Sequence, residues 1–371
     1  MPEPRPGRWG HHAALCANLT PNWYASIMGT GIVATAAATL PLQFPLLRAW
    51  ATVVWALAAL LLVLLTAATA VHWIRYRQTA AGHHRHPVMA HFYGAPPMAL
   101  LTVGAGTLLL GKDVLGEGLA LRIDAVLWTV GTVLGLASAV VVPYLQFTRH
   151  RVEPDSAFGG WLMPVVPPMV SASTGALLLP HVPAGEPRQV LLLGCYAMFG
   201  LSLLASLITI PLIWNRLVVH KIPAAAAVPT LWIVLGPLGQ SITAANLLGG
   251  NAHLAVPGNL AVVMQSFGVL YGVPVLGFAL LWAALAAAIT VRTLRQGLPF
   301  SLTWWSFTFP VGTCVTGLSG LASQTHLAVF DVMAVGGYVL LVAAWILVAS
   351  RTFQGSIIRG ALFQKPAPAV P

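Results

Sequence analysis

The side chains with chemical capacity in the apolar stretches of this sequence are neutral. Thr30, Thr102, Ser171, Ser173, Gln240, Thr243, Thr313 and Thr316 stand in apolar surroundings, accompanied by Thr35, Thr107, Thr174, Ser241, Asn246, Ser319 and Ser323. Hydroxyls and carboxamides can replace part of the hydration shell of a small solute. Without a neighbouring base or carboxylate pair they make neither an activated nucleophile nor a proton relay. The same side chains can bond back to their own helical turn or serve only to let helices approach. Any one of them says little. Their recurrence in five separate apolar segments, none holding Lys, Arg, Asp or Glu, points to a polar path through an apolar body.

Those segments share a short grammar of aromatic residues, then a proline (a glycine in the first copy), then small and hydroxyl-bearing residues. The copies read Trp23-Tyr24-Ala25-Ser26-Ile27-Met28-Gly29-Thr30-Gly31, Phe92-Tyr93-Gly94-Ala95-Pro96-Pro97-Met98, Trp161-Leu162-Met163-Pro164-Val165-Val166-Pro167-Pro168-Met169, Trp232-Ile233-Val234-Leu235-Gly236-Pro237-Leu238-Gly239 and Trp304-Trp305-Ser306-Phe307-Thr308-Phe309-Pro310. Pro97, Pro167, Pro237 and Pro310 are 70, 70 and 73 residues apart, and Met28 precedes Pro97 by 69. Fixed spacing of this kind marks an internal repeat, here long enough for two membrane helices per copy.

Proline inside a helix removes one backbone hydrogen bond and frees a carbonyl, so Pro97, Pro168, Pro237 and Pro310 are expected to kink their segments. Pro143, Pro211 and Pro274 in the intervening segments show that proline alone marks nothing. Phe309, immediately before Pro310, is placed to form a dewetted constriction if it faces a narrow path; an ordinary core or lipid-facing ring is the alternative.

Composition fixes the surroundings of these elements. The chain of 371 residues is 58% hydrophobic and 7% charged, with a mean hydropathy of +0.83. A soluble domain of that length needs far more charge at its surface. The runs 50–71, 190–213 and 332–348 are of bilayer-spanning length. The expected architecture is an all-α integral membrane protein of ten transmembrane helices, near 20–40, 47–74, 91–110, 120–147, 159–180, 188–214, 226–249, 258–291, 301–325 and 327–350. Paired as five helical hairpins with quasi-fivefold symmetry, the odd segments would ring a central pore and the greasier even ones would face lipid. The expected divisions are an N-terminal tail over 1–18, a transmembrane domain over 19–350 and a C-terminal tail over 351–371.

Charge sets orientation. Fourteen Lys and Arg fall on the side of the termini (Arg5, Arg8, Arg75, Arg77, Arg85, Arg149, Arg151, Arg216, Lys221, Arg292, Arg295, Arg351, Arg359, Lys365), against four (Arg48, Lys112, Arg122, Arg188) on the other. By the positive-inside rule both termini are cytoplasmic, and the net charge of +10 is a topology signal rather than a nucleic-acid site. The first apolar run has no convincing cleavage site and reads as a retained helix. Cys16, Cys195 and Cys314 are far apart and suggest neither a disulfide framework nor a metal pair.

His83-His84-Arg85-His86, with His91 nearby, resembles a metal patch. The other histidines add only the pair His11-His12, so a solvated cytoplasmic loop is the expected role, with a membrane-embedded metalloenzyme as the competing class. Asp124 and Asp331 open the fourth and tenth segments, where a carboxylate complements a helix N-terminus or anchors at the interface. No nucleophile elbow, phosphate loop or paired intramembrane carboxylate is present in the sequence. No catalytic residue, metal site or cofactor is therefore expected.

The five-hairpin pattern and the string Trp304-Trp305-Ser306-Phe307-Thr308-Phe309-Pro310 resemble the tellurite-resistance/dicarboxylate transporter family, which includes plant slow anion channels and bacterial TehA-like proteins. The opening Leu19-Thr20-Pro21-Asn22-Trp23-Tyr24-Ala25-Ser26-Ile27-Met28-Gly29-Thr30-Gly31 is similar to the branch with the yeast malate permease and fungal sulfite efflux pumps. The resemblance spans about 18–351. It implies an anion-conducting central pore with quasi-fivefold symmetry, a homotrimer in the cell membrane with one pore per protomer, and a ninth-helix phenylalanine, here Phe309, that occludes the pore. A dicarboxylate dianion calls for a fixed cation that the odd segments lack. Sulfite, bisulfite or another small anion is therefore the expected solute, and proton-coupled malate transport the alternative.

Overall fold

In a low-dielectric surrounding the chain must satisfy its own backbone, and helix does this locally. The computed structural model, in which residues 16–358, 360 and 362 are described, is all-helical, with no strand among those residues. Shorter and longer helices alternate: α1 (Tyr24–Thr39) and α2 (Pro45–Arg75), α3 (Ala95–Gly106) and α4 (Glu117–Thr148), α5 (Pro167–Leu178) and α6 (Glu186–His220), α7 (Leu235–Asn251) and α8 (Gly258–Gln296), α9 (Phe309–Thr325) and α10 (Ala328–Phe353). A short helix, Arg77–Arg85, follows α2. The expected tails 1–18 and 351–371 fall mostly outside the described residues, as do Arg5, Arg8, His11, His12, Arg359 and Lys365.

Among the described residues, seven stretches are long and apolar enough to cross a membrane: the five even-numbered helices (α10 continuing to Ile358), Met89–Leu115 around α3, and Ala225–Leu254 around α7. The sequence predicted ten. Among the other three odd helices, α5 and α9, of 12 and 17 residues, fall short by length, and α1, of 16 residues after a 3-10 entry at Pro21–Trp23, is not one of the seven. Each copy of the aromatic-proline grammar enters as a 3-10 segment before turning α-helical, which leaves the α-helical part of every odd helix at 17 residues or fewer. Those segments are Pro21–Trp23, Met89–Gly94, Gly159–Leu162, Ala225–Val234 and Leu302–Phe307, and they carry Trp23, Phe92, Trp161, Trp232, Trp304 and Trp305.

The prolines read from sequence as mid-helix kinks mark this change of helix type instead. Pro97, Pro168, Pro237 and Pro310 all stand in the first turn of the α-helical part, where a backbone N–H has no α-helical acceptor to lose. Pro143, Pro211 and Pro274 lie within the even helices, which continue through them.

The packing follows the alternation. Among the odd helices, α1 touches α3, α3 touches α5, α5 touches α7, α7 touches α9, and α9 returns to α1. The 3-10 segments close a second circuit in the same order. Each even helix packs on the odd helix before it and on the next one around the circuit, and α10 completes the set by touching α9 and α1. Burial sorts them accordingly: 67% and 78% of the most apolar windows around α3 and α7 are buried, against 22–28% in the even helices. The even helices expose contiguous Leu and Val, such as Leu60, Val63 and Leu64 on α2, which suits lipid rather than water.

Close approach within the 3-10 circuit depends on two glycines. A Cβ on Gly94 would overlap the Met163 carbonyl, and one on Gly159 would overlap the Thr230 carbonyl. Indole N–H groups tie the inner layer to the outer. Trp55 donates to Thr107 Oγ1 at 3.1 Å, Trp128 to the Ser171 carbonyl at 2.9 Å, Trp282 to the Leu231 carbonyl at 2.8 Å and Trp345 to Thr30 Oγ1 at 3.0 Å.

Candidate functional site: an uncharged cavity inside the helix circuit

A cavity of about 320 Å³ lies where the odd helices meet, and every one of them lines it. Each contributes a stripe at helical spacing: Ile32, Thr35 and Thr39 on α1; Thr102 and Ala105 on α3, with Leu109 just beyond it; Val170, Ser173, Thr174 and Leu177 on α5. From α7 come Gln240, Thr243, Asn246 and Leu247, and from α9 Phe309, Thr316, Ser319 and Ser323. Steps of three, four and seven keep one face of each helix on the cavity. No lining residue is charged.

Most hydroxyls of the lining already have partners on their own helices. Thr102 donates to the Met98 carbonyl at 2.7 Å, Ser173 to Val170 at 3.0 Å, Thr316 to Thr313 at 3.0 Å and Ser319 to Val315 at 2.9 Å. A hydroxyl hydrogen turns freely, so each can leave its carbonyl for a passing solute. Such an exchange of one hydrogen bond for another changes the free energy little.

Between side chains of the lining, two hydrogen bonds cross from one helix to another. Gln240 Nε2 donates to Ser173 Oγ, joining α7 to α5, and Thr243 Oγ1 meets Thr316 Oγ1 at 2.7 Å, joining α7 to α9. Gln240 Oε1 and Asn246 Oδ1 are buried without partners. A half-turn of the Gln240 amide would let its oxygen accept from Ser173 and put the NH₂ in the buried position that Oε1 holds.

Phe309 is 3% exposed and opens α9 at one end of the cavity. At the other end are Thr39, Ser323 and Gln324, from the last turns of α1 and α9. From Phe309 to Ser323 the helical rise is about 21 Å.

Six sequence-selected residues therefore meet here: Thr102, Ser173, Gln240, Thr243, Thr316 and Phe309. Three do not line the cavity. Thr30 faces outward and accepts the Trp345 indole, while donating to the Ser26 carbonyl at 2.7 Å. Thr313 is fully buried between α7 and α9, with its hydroxyl 2.7 Å from the Pro310 carbonyl and 3.3 Å from those of Leu235 and Gly236. Ser171 is fully buried, and its carbonyl receives the Trp128 indole from α4. Thr39 and Gln324 were missed; the first lies four residues after Thr35 and the second eight after Thr316, a spacing that continues each stripe.

The histidine segment is a helix rather than a solvated loop. His83 and His84 are half-buried in Arg77–Arg85; the His84 ring stacks on Tyr93 at 4.1 Å and the His83 ring on His72 at 5.5 Å. Burial first, then His72, His84 and His86, lowers the His83 pKa from 6.5 to about 4, and burial also lowers that of His84. Among the described residues no group of three or more His, Cys, Asp or Glu side chains is placed to hold a metal. Asp331 lies in the first turn of α10 as expected. Asp124 does not sit at an interface: it is 1% exposed between α4 and α3, close to Gly104, with neither carboxylate oxygen hydrogen-bonded.

Comparison with known proteins agrees in extent and kind. The chain is 27% identical over 349 residues to the sulfite efflux pump SSU1 of Arthroderma otae, covering 92% of this chain and 91% of that one. SSU1 of Trichophyton rubrum gives the same identity and coverage. The uncharacterized transporter MJ0576 of Methanocaldococcus jannaschii is 26% identical over 352 residues, 93% of this chain and 97% of its own. The family described as SLAC1, voltage-dependent anion channel, matches residues 18–353, and the chain belongs to that family.

Proposed function

We propose that this protein carries small monovalent anions, bisulfite foremost, through a ten-span bundle of five hairpins related by quasi-fivefold rotation, with Phe309 as the constriction of the path. The observation that carries this reading is the cavity itself: all five odd helices line it, no charge lies on it, and Phe309 stands at one end. The two closed circuits of contacts support the fivefold arrangement, with α1, α5 and α9 completing the ten spans through their 3-10 entries. A cavity without fixed charge gives an anion no deep well to escape, as conduction requires. Ile32, Thr102, Val170, Gln240 and Phe309 are the first lining residues of their helices, and three of those five are apolar, a composition that dewets a narrow neck. The fungal relatives named as sulfite efflux pumps direct the choice of anion.

On this reading the protein is a multi-pass protein of the cell membrane with cytoplasmic termini, assembled as a homotrimer with one path per protomer. The test is anion efflux from liposomes of purified protein, read with bisulfite, nitrate, chloride and malate. Bisulfite flux above that of protein-free vesicles is the expected outcome. Malate uptake driven by an imposed pH gradient, with no bisulfite flux, would overturn the proposal.

A further inference from the structure

The end of the cavity opposite Phe309 has two unlike halves. The 3-10 segments at the N-terminal ends of the odd helices meet in one circuit, so the C-terminal ends of those helices lie together at the other end of the bundle. There α3, α5 and α7 each present a leucine to the cavity: Leu109, in the π-helical turn Thr107–Gly111 that follows α3, then Leu177 and Leu247. The three stand 68 and 70 residues apart, close to the repeat step. Each is the half-buried residue in a run that is otherwise buried, 101–110, 171–179 and 241–249, so its open side is the one on the cavity. From α1 and α9 come Thr39, Ser323 and Gln324 instead. Because α3, α5 and α7 are consecutive in the circuit and α9 adjoins α1, the leucines form one apolar arc and the polar residues the arc facing it.

The polar arc carries uncommitted donors. Ser323 is exposed, and its hydroxyl has no hydrogen bond among the described residues, whereas Thr316 and Ser319, earlier on the same helix, bond back to carbonyls. Gln324 Oε1 accepts from Gln265 Nε2 at 2.9 Å, which leaves the Gln324 N–H groups as the part of that amide without a partner among the described residues. Thr39 gives its hydroxyl to the Thr35 and Ala36 carbonyls, at 3.0 and 3.2 Å. Asn246, beside Leu247, gives its N–H groups to the Ile242 and Gly268 carbonyls, at 2.8 and 3.4 Å. Donors at Ser323 and Gln324 suit an oxyanion, and the absence of charge on the lining limits it to one charge. An inorganic oxyanion held there would leave the leucines facing water in a cavity of about 320 Å³. An alkyl tail on the same head would cover them.

We infer that this end of the cavity binds a short-chain organic monoanion, an oxyanion head on an alkyl tail as in butanesulfonate, with the head at Ser323 and Gln324 and the tail against Leu109, Leu177 and Leu247. The inference rests on the proposed reading of the cavity as the anion path, and adds organic monoanions to the solutes that path accepts.

The test reads binding to the full chain in nanodiscs by fluorine NMR of alkanesulfonates ending in a trifluoromethyl group. These probes stay ionised and do not cross lipid as neutral acids, and empty nanodiscs give the background. Line broadening above that background is expected, with Kd falling about two- to fourfold for each methylene added from ethane to butane, the gain from burying one CH₂. The gain should level off by the octane tail, which outgrows the arc, whereas partition into lipid keeps rising. Leu177→Ala with Leu247→Ala should flatten the chain-length series. Ser323→Ala with Gln324→Leu should raise Kd about fivefold at every length and keep the slope, a pattern that misfolding does not produce. No broadening above empty nanodiscs, a Kd independent of tail length, or a slope unmoved by the leucine changes would each overturn the inference. No flux enters this readout. A chain that passes bisulfite yet fails these measurements sinks the organic-anion site alone, and one that binds as described yet passes no anion sinks the proposed path and leaves the site.

Discussion

On the proposed reading, Phe309 and Gln240 divide the work at the neck of the cavity. An aromatic ring at an uncharged constriction obstructs by excluding water, so its truncation should open the path without creating a binding site. Phe309→Ala is expected to raise anion efflux from liposomes about tenfold, equivalent to about 1.4 kcal/mol of barrier; unchanged efflux in a correctly folded variant would remove the gate assignment. Gln240 is the lining residue at that neck that carries amide N–H donors. Gln240→Leu keeps the size and removes both the amide donors and the tie to Ser173, and should lower bisulfite efflux several-fold, consistent with loss of about 1 kcal/mol of hydrogen bonding. Of the eight residues that sequence selected as lining, five stand on the cavity, as does Phe309, because polar side chains at helical intervals on uncharged segments declare a shared face. It misplaced Thr30, Ser171 and Thr313 because a hydroxyl turned outward to an indole, or a residue wedged between two inner helices, has the same identity and local context as one facing a void. Only the packing partner distinguishes them.

At the scale of elements, each repeat depends on a 3-10 entry that lets neighbouring backbones touch. Gly94→Val would drive a side chain into the Met163 carbonyl, which as backbone cannot swing away, and should destabilise the fold by about 1–3 kcal/mol. A lower melting temperature in detergent, with residual folded protein at low temperature, is the expected readout. The aromatic-proline grammar was plain in the sequence, but its role was not: proline suits the first turn of a helix as well as an interior kink, and the choice depends on where the preceding 3-10 turns end. The Arg77–Arg85 helix was likewise hidden, since a run of His and Arg carries no apolar periodicity; ring stacking on His72 and Tyr93 holds it down. Its stability should depend on pH in a definite sense. A His83 pKa lowered from 6.5 to about 4 means the unfolded chain takes up a proton that the folded one refuses. Stability is thus fully present above about pH 6.5 and is lost as pH falls from there toward 4. Because His83 is only half-buried, solvent screening reduces this to about 1 kcal/mol. Thermal unfolding at pH 7 and pH 5 should show the loss, and His83→Phe should flatten it; an unchanged slope would place the acid sensitivity elsewhere.

For the molecule as a whole, the decisive property is a cavity wall of neutral dipoles, which on the proposed reading surrounds the anion. The cost of moving an ion out of water rises with the square of its charge, so a dianion meets about four times the penalty of a monoanion of equal size, and no Lys or Arg lines the cavity to offset it. Bisulfite carries one charge and sulfite two, and the two exchange by protonation near neutral pH. In vesicles at fixed total sulfite, efflux should therefore rise as the pH on the loading side falls, in proportion to the bisulfite fraction. The acid-lowered stability attributed to His83 acts in the opposite direction, so a rise cannot come from that source. Nitrate, which gives up water more readily than chloride, should pass faster than chloride, and malate, a dianion at pH 7, should pass slowest. The basic residues grouped at the end of the bundle with the termini are kept outside this ranking by screening, since at 0.15 M salt their field decays over about 8 Å. Raising ionic strength should therefore shift absolute fluxes while leaving the order intact. A pH-independent sulfite flux, or malate passing as fast as nitrate, would require a cation on the path that the five inner helices do not provide.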